Sequence, residues 1–160
     1  MKSLADPAVQ EELLSRLRRV RPDTPRRWGR MSAPQMVCHL GDSFKGVMGL
    51  RGIIPATTLL NRTLVRCIAL HTPLPWPKGV PTRPEVDQEV GGTPPGEFER
   101  DVRDLEALIE RFARPLDSTR GGPRRDFERQ SHPIFGPLTE REWLRWGWRH
   151  ADHHLRQFGV

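Results

Sequence analysis

Apolar positions in the first third of the chain predict two amphipathic helices. After Pro7 they recur every three or four residues, at Val9, Leu13, Leu17 and Val20. Asp6 followed by Pro7 is typical of a helix start, and the stretch 21–25, with two prolines, ends this helix near Val20. Ser32 and Gln35 then have the spacing of a capping box, which predicts a second helix that runs to about Leu50.

Three further segments have helical periodicity. Residues 59–70 predict a short helix whose apolar positions are roughly in phase, at Leu60, Leu64, Cys67 and Ile68. A longer helix is predicted from about Glu97 to Arg114, with apolar residues at Phe98, Val102, Leu105, Leu108, Ile109 and Phe112. Thr139 and Glu142 have capping-box spacing and predict the start of the last helix.

Two long connections separate these helices. Residues 71–95 contain seven of the sixteen prolines, grouped around Trp76, and cannot form a regular helix or an interior strand. This segment is either a lid or binding loop, or a strap that packs Trp76 on the outside of the fold. Residues 115–137 form a second loop. The pattern therefore predicts an all-α fold, a four-helix bundle with long crossover loops and one extra short helix, as a single domain over residues 1–160.

Composition and charge narrow the function classes. No apolar run is long enough to cross a membrane and the N-terminus lacks a secretory signal, so we expect a cytoplasmic protein without a membrane partner. The net charge of +6 allows a nucleic-acid partner. The arginines, however, are dispersed and interleaved with acidic residues, which disfavours nucleic-acid binding. Cys38 and Cys67 have no zinc-ribbon or redox spacing, and we expect reduced thiols, with Cys38 in the core.

Half of the six histidines lie near the C-terminus, in the last predicted helix. His150 and His154 are one turn apart on one face, a spacing that can bind one metal ion. Trp143 and Trp146 lie on the same side. The polar side is predicted to face solvent; it contains Glu142, Arg145, Arg149, Asp152 and Arg156.

The second helix carries one histidine, His39. Met36 and Ser43 share its face, and Asp42 lies one turn on and about 60° round the helix. A lone histidine of this kind is more often a hydrogen-bonded core residue than a ligand. Metal sites in bundles, however, are assembled from facing helices, so His39 could meet a pair from the last helix.

Several motifs together resemble a subfamily of unknown function within the DinB-like superfamily of metal-binding helical bundles. These motifs span nearly the whole chain: Pro25–Met31, Gln35–Leu40, Pro73–Gly79, His132–Gly136 and His153–Gly159. The last of them continues the His150-x-x-His153-His154 pattern. The resemblance implies His39, His150 and His154 as ligands of a divalent metal. It also implies a homodimer, because DinB-like relatives are often dimers.

Other polar residues near these histidines are candidates for supporting roles. His153 adjoins the pair but points about 100° away from His154 on a helix. Gln157 and Asp42 could orient an imidazole or bind a metal-bound water, or could make ordinary hydrogen bonds. Met36, Ser43, Trp143 and Trp146 are the predicted pocket residues. No residue type identifies a catalytic acid or base beyond the candidates Gln157, Asp42 and His153.

The proposed ligand set determines the expected chemistry. Three neutral imidazoles do not reduce the positive charge of a bound Zn, Ni or Fe ion. This charge lowers the pKa of a metal-bound water to about 7 or stabilises a bound thiolate. Some DinB-like relatives are thiol transferases and others are hydrolase-like. We therefore expect an enzyme that activates water or a low-molecular-weight thiol for a small-molecule substrate. The alternatives are a non-catalytic metal- or ligand-binding bundle and, less favoured, a basic nucleic-acid-binding protein. Ala151 follows His150, so the metalloprotease motif H-E-x-x-H is absent.

Overall fold

The computed structural model describes residues 1–114, Phe127 and residues 130–160. Its helices are α1 (Pro7–Leu17), α2 (Ala33–Val47), α3 (Arg66–His71), α4 (Phe98–Ala113) and α5 (Glu140–Gln157). A π-helical turn, Asn61–Val65, leads directly into α3. No strand occurs in these described parts of the chain, so the predicted all-α class and the extra short helix are confirmed. Most of the predicted 115–137 loop lies outside the described residues.

The helices begin where the capping signals predict. Asp6 accepts a hydrogen bond from the Ala8 N–H at 2.9 Å, and both predicted capping boxes are formed. α1 and α2 end three residues before the predicted positions. After α1 the chain makes a tighter turn, in which the Val20 N–H donates to the Leu17 carbonyl at 3.0 Å. After α2, Gly49 has a φ of +75°, which ends the helix.

The core lies between the four longer helices. α2 packs along α4, and α5 contacts both α1 and α2. At the centre, the Phe44 ring lies 5.1 Å from Phe112 and 5.7 Å from Trp146. The buried apolar side chains of all four helices form one contiguous cluster. None of the helices described is long and apolar enough to cross a membrane.

The apolar stripe predicted for residues 59–70 does not face the core. Leu60 is 58% exposed and Leu64 is 56% exposed, whereas Leu70 is fully buried. Cys67 and Ile68, which follow the π-helical turn, are exposed as well, so none of the described residues covers this stripe. The helix therefore contacts the core mainly through its C-terminal end.

The polar side of α5 was predicted to face solvent, and this prediction is wrong for Glu142, Arg145 and Arg149, which are buried. Arg145 donates a hydrogen bond to the Leu70 carbonyl at 2.8 Å, and Arg149 donates to the Thr72 carbonyl at 2.7 Å. These carbonyls are at the end of α3 and just after it. α3 and the chain that follows thus cover this side of α5.

The segment 72–97, between α3 and α4, passes over the histidines of α5. Its only regular part is the 3-10 turn Pro84–Val86. Trp76 donates its indole N–H to the Ala69 carbonyl at 2.9 Å, and its ring lies 5.8 Å from that of His150. Trp76 thus lies over the histidines, and whether the proline-rich segment acts as a lid or binding loop stays a prediction.

Candidate metal centre

Three histidines from two helices converge beneath the 72–97 segment. The ring centroids of His39 on α2 and of His150 and His154 on α5 lie 4.7–5.3 Å apart. One candidate ligand atom from each residue can be chosen so that all three lie within 4.8 Å of one another. The structure thus brings together the three histidines singled out from the sequence.

Hydrogen bonds orient two of the imidazoles. His39 donates from Nδ1 to the Val86 carbonyl at 2.7 Å, and His154 Nδ1 lies 3.0 Å from Gln157 Oε1. The Gln157 amide is itself oriented, because its Nε2 donates to the Trp28 carbonyl at 2.8 Å. With Nδ1 as the donor, the Nε2 atoms of His39 and His154 keep their lone pairs for a metal.

The spacing fits a divalent ion. His39 Nε2 and His150 Nε2 lie 3.3 Å apart. Two imidazole nitrogens bound to one tetrahedral zinc at about 2.0–2.1 Å are separated by about 3.3 Å. The buried Nδ1 of His150 has no hydrogen-bond partner among the described residues. A neutral His150 with its hydrogen on Nδ1 would direct Nε2 towards the shared centre.

Burial keeps these imidazoles neutral. It lowers the pKa of His39, and it lowers the pKa values of His150 and His154 well below the usual range. The neighbouring imidazoles lower the pKa values of His150 and His154 further, because two cations at this distance repel each other. Neutral imidazole is the form that binds metals, so the cluster is ready to ligate at neutral pH.

Asp42 does not contact the three imidazoles through any hydrogen bond formed by the described residues. Its buried carboxylate accepts hydrogen bonds from the Thr93 N–H at 2.7 Å, from Gln88 at 3.2 Å and from Arg51 at 3.1 Å. It therefore anchors the 72–97 segment to α2. Both oxygens of this carboxylate are used in these contacts. The groups that orient imidazoles of the cluster are instead Gln157, which the sequence indicated, and the Val86 carbonyl, which it did not.

His153 lies beside the cluster without belonging to it. Its ring is 5.2 Å from that of His154 and 6.1 Å from Trp76. Burial lowers its pKa, and the nearby Arg156 lowers it further. Cys38 is buried, with its thiol 3.6 Å from an Asp101 carboxylate oxygen; burial, together with Asp101, raises its pKa to about 12. Cys38 thus stays protonated and outside the cluster.

A cavity of about 930 Å³ opens beside the three histidines, which form part of its wall. The rest of the wall is largely apolar and comes from residues 28–31, α2, Ile53, the π-helical turn, α3, the 72–97 segment, residues 132–135 and α5. It includes Met31, Val47, Ile53, Val65, Leu74, Trp76, Ile134 and Phe135. Among the described residues, no aspartate or glutamate lines this cavity. The volume is suited to a small-molecule ligand.

The predicted pocket residues divide into two pairs. Ser43 and Trp146 line the cavity, and the Trp146 ring lies 5.1 Å from that of His150. Met36 and Trp143 are not among the lining residues. Met36 is fully buried in the core, and Trp143, one turn before Trp146, packs against Phe127 at 5.6 Å.

His132 also lines the cavity, although the sequence pointed to it only as part of a motif. The chain turns back on itself at this position: the His132 and Gly136 backbones exchange two hydrogen bonds of 2.9 Å. Gly136 has a φ of +73°, a conformation that favours glycine. The sequence contained one signal for this turn: His132 precedes a proline and is followed four residues later by Gly136.

The comparisons with known proteins give a family but no characterised relative. No curated protein and no solved structure matches the chain. One family model matches residues 6–159, which is nearly the whole chain. The chain therefore belongs to DUF1569, a family of proteins of unknown function.

Proposed function

We propose that this protein binds one divalent metal through His39, His150 and His154, and that it is an enzyme activating water or a low-molecular-weight thiol. The observation that carries the proposal is the convergence of three neutral imidazoles at the wall of a large cavity. Imidazole ligands suit Zn, Ni and Fe. A transferase or a hydrolase is the reaction class that such a site supports.

An open coordination position supports catalysis over a purely structural metal. Structural zinc normally has four protein ligands, whereas three are assembled among the described residues. Cys38 and Asp42 are engaged elsewhere. A divalent metal at this site would act as a Lewis acid on a water or thiol from the cavity. Because no carboxylate in the described parts of the chain lines the cavity, the metal rather than a carboxylate base would carry the activation.

The chain's own residues would orient the ligands and limit water. Val86 and Gln157 hold two imidazoles through their Nδ1 atoms. Trp146 lies 5.1 Å from the ring of His150 on one side, and Trp76 lies 5.8 Å from it on another. These indoles would keep the surroundings of the site apolar, which strengthens electrostatic interactions within it.

The fold type belongs to the same proposal. The four longer helices, α1, α2, α4 and α5, would form a bundle of the DinB-like type. One histidine on α2 and a His-x-x-x-His pair on the last long helix support this assignment.

A non-catalytic metal- or ligand-binding protein is the second candidate. The lack of a carboxylate among the described lining residues favours it, since many hydrolytic reactions need such a base. An apolar cavity of about 930 Å³ could hold a ligand without any reaction.

Elemental analysis of the untagged protein tests metal binding. We expect about one metal per chain in the wild type and in His153→Ala, and loss of the metal in His39→Ala and His150→Ala. His153 is the matched control because it lies on the same helix, next to a ligand, with its ring outside the cluster. Metal-free wild type after addition of Zn or Ni would contradict the proposal, as would equal metal content in all variants.

The cobalt form separates an open site from a closed one. Addition of 2-mercaptoethanol to the cobalt-loaded wild type should produce a sulfur-to-cobalt charge-transfer band, because a thiolate can occupy the fourth position. An unchanged spectrum would indicate a closed site and favour the non-catalytic alternative.

A further inference from the structure

The nitrogen atoms of His132 have unequal surroundings. Nδ1 accepts hydrogen bonds from the Ile134 and Phe135 N–H groups, both at 3.1 Å. A backbone N–H can only donate, so Nδ1 carries the lone pair and the hydrogen of the neutral ring is on Nε2. The turn that ends at Gly136 holds these two donors in place. The tautomer of His132 is thus fixed by the backbone around it.

The Nε2–H of His132 is a donor without an acceptor. No hydrogen bond among the described residues engages Nε2, although the residue is only 4% exposed and lines the cavity. The ring is held in position: it stacks on Phe135 at 4.5 Å and meets the edge of Trp146 at 5.3 Å. A donor at the cavity wall can bond to a ligand or water there, and a ligand that covered it without offering an acceptor would lose free energy.

The neighbouring wall has a low net charge. Arg83 lines the cavity, and its charge is balanced by Glu85, 2.9 Å away. Arg30 also lines the cavity and pairs with Asp87 and Glu89. With both arginines paired to carboxylates and the rest of the wall largely apolar, the cavity suits a neutral ligand.

His132 lies one aromatic ring away from the metal-binding cluster. The Trp146 indole lies 5.3 Å from the His132 ring and 5.1 Å from the His150 ring. A molecule of modest size in the cavity could therefore reach both His132 and the position that three imidazoles leave open.

We propose that His132 is a substrate-binding residue, whose Nε2–H donates a hydrogen bond to an oxygen atom of a neutral, largely apolar substrate such as a ketone, ester or amide. Any interaction of this substrate oxygen with a bound metal depends on the function proposed above. The binding itself does not, since it uses only the cavity and the fixed tautomer. Burial, helped by the nearby Arg83, lowers the pKa of His132 to about 3, so the donor stays neutral at physiological pH.

Two near-isosteric probes test this hydrogen bond on metal-free protein. Benzophenone has a carbonyl oxygen, and 1,1-diphenylethylene has a CH₂ group in the same place. Their binding can be followed by the fluorescence of Trp28, Trp76 and Trp146, which line the cavity. The measured quantity is the ratio of the two dissociation constants, because it removes effects common to both probes.

Two variants are matched to the two nitrogens. In His132→Asn the amide oxygen can replace Nδ1 as the acceptor for the turn, but nothing replaces the Nε2–H. In His132→Gln the amide can reach the Nε2 position and donate. We expect the preference for benzophenone to fall about fivefold in His132→Asn, as for a neutral hydrogen bond, and to stay within about twofold in His132→Gln.

Three results would overturn the proposal: no saturable binding of either probe to the wild type, no preference for benzophenone in the wild type, or an unchanged preference in His132→Asn. If His132→Asn does not fold, long-range ¹H–¹⁵N NMR of the wild type decides. The His132 Nε2 signal should shift with benzophenone and not with 1,1-diphenylethylene, and equal behaviour with both probes would refute the hydrogen bond. Because metal is absent throughout, these outcomes are independent of the metal content of the ligand variants.

Discussion

The three candidate metal ligands differ in the hydrogen bond that their Nδ1 atom makes. His39 is held by a backbone carbonyl, which no side-chain substitution removes. His154 is held by the Gln157 side chain, which is itself fixed by the Trp28 carbonyl. The buried Nδ1 of His150 has no partner among the described residues. Gln157 is therefore the position where the orientation of a ligand can be altered by one substitution.

We expect Gln157→Leu to weaken metal binding by roughly ten- to a hundredfold, because loss of the Nδ1 partner frees the imidazole of His154 to rotate. Competition with a chromophoric chelator would measure the affinity. The stoichiometry at saturating metal should remain one per chain. An affinity equal to that of the wild type would show that Gln157 does not orient His154.

Asp42→Asn is the matched control for this prediction. It removes a buried carboxylate that pairs with Arg51 and Thr93 and makes no hydrogen bond to the imidazoles. We expect a lower melting temperature with metal affinity within about threefold of the wild type, since outer partners act through the ligands they contact. The two variants thus separate an effect on the ligands from an effect on the 72–97 segment.

At the scale of elements, the start of α5 is the most heavily bonded helix end described. Glu142 completes the capping box with Thr139 and also accepts hydrogen bonds from Arg66 and His71, at 2.6–2.9 Å. Burial raises the pKa of Glu142, but these hydrogen bonds outweigh burial and hold the pKa well below its ordinary value of 4.5. One carboxylate therefore joins α5 to α3.

We expect Glu142→Gln to lower the free energy of unfolding by about 2 kcal/mol at pH 7, less than for a fully buried ion pair because Arg66 is partly exposed. The folded pKa lies below the unfolded value, so the carboxylate stabilises the fold above pH 4.5. This contribution decreases as the pH falls below that value. The difference between wild type and variant in urea unfolding should therefore narrow in acid, and a difference that widens would contradict this assignment.

Glu97→Gln provides the comparison for a surface pair. Glu97 lies 3.7 Å from Arg103, and both side chains are mostly exposed. Such pairs contribute little to stability. A loss of stability as large as that of Glu142→Gln would point to a general charge effect.

The elements show why part of the fold could be predicted from the sequence. Helix starts depend on a few neighbouring residues, and the capping boxes at Ser32 and Thr139 are formed as predicted. The polar side of α5 could not be predicted in this way. Arg145 and Arg149 are buried because carbonyls at the end of α3, more than seventy positions earlier, accept their hydrogen bonds. Periodicity shows which residues share a face, but not which segment covers it.

The same limit applies to the candidate site. The spacing of His150 and His154 depends only on a helix, and it could be predicted from the sequence. The partner of His39, the Val86 carbonyl, lies in a segment without regular periodicity, where no side-chain pattern marks a backbone acceptor. The contribution of His132 likewise depends on the folding of a turn against α5.

At the scale of the molecule, one segment closes the space in which the histidines lie. The 72–97 segment is attached at both sides: Arg149 donates to the Thr72 and Leu74 carbonyls, and Asp42 accepts from Thr93. Between these attachments Trp76 lies over His150. Trp76 adds one hydrogen bond, from its indole N–H to the Ala69 carbonyl. Because the attachments at Thr72, Leu74 and Thr93 do not involve it, we expect the segment to stay in place when this indole is removed.

We expect Trp76→Ala to bind about one metal per chain and to lose it to excess EDTA on the order of ten times faster than the wild type, because the apolar cover over a site controls access of water and chelator. Trp148→Ala is the control: Trp148 is on the same helix as His150 and His154, but its ring contacts Lys2 and does not line the cavity. Loss of cobalt absorbance after addition of EDTA would give the rates. If both variants release metal at the wild-type rate, the path to the site does not pass Trp76, and the 72–97 segment is a fixed wall of the cavity. If only Trp76→Ala releases it faster, this indole is the barrier that a substrate entering from outside would also have to displace.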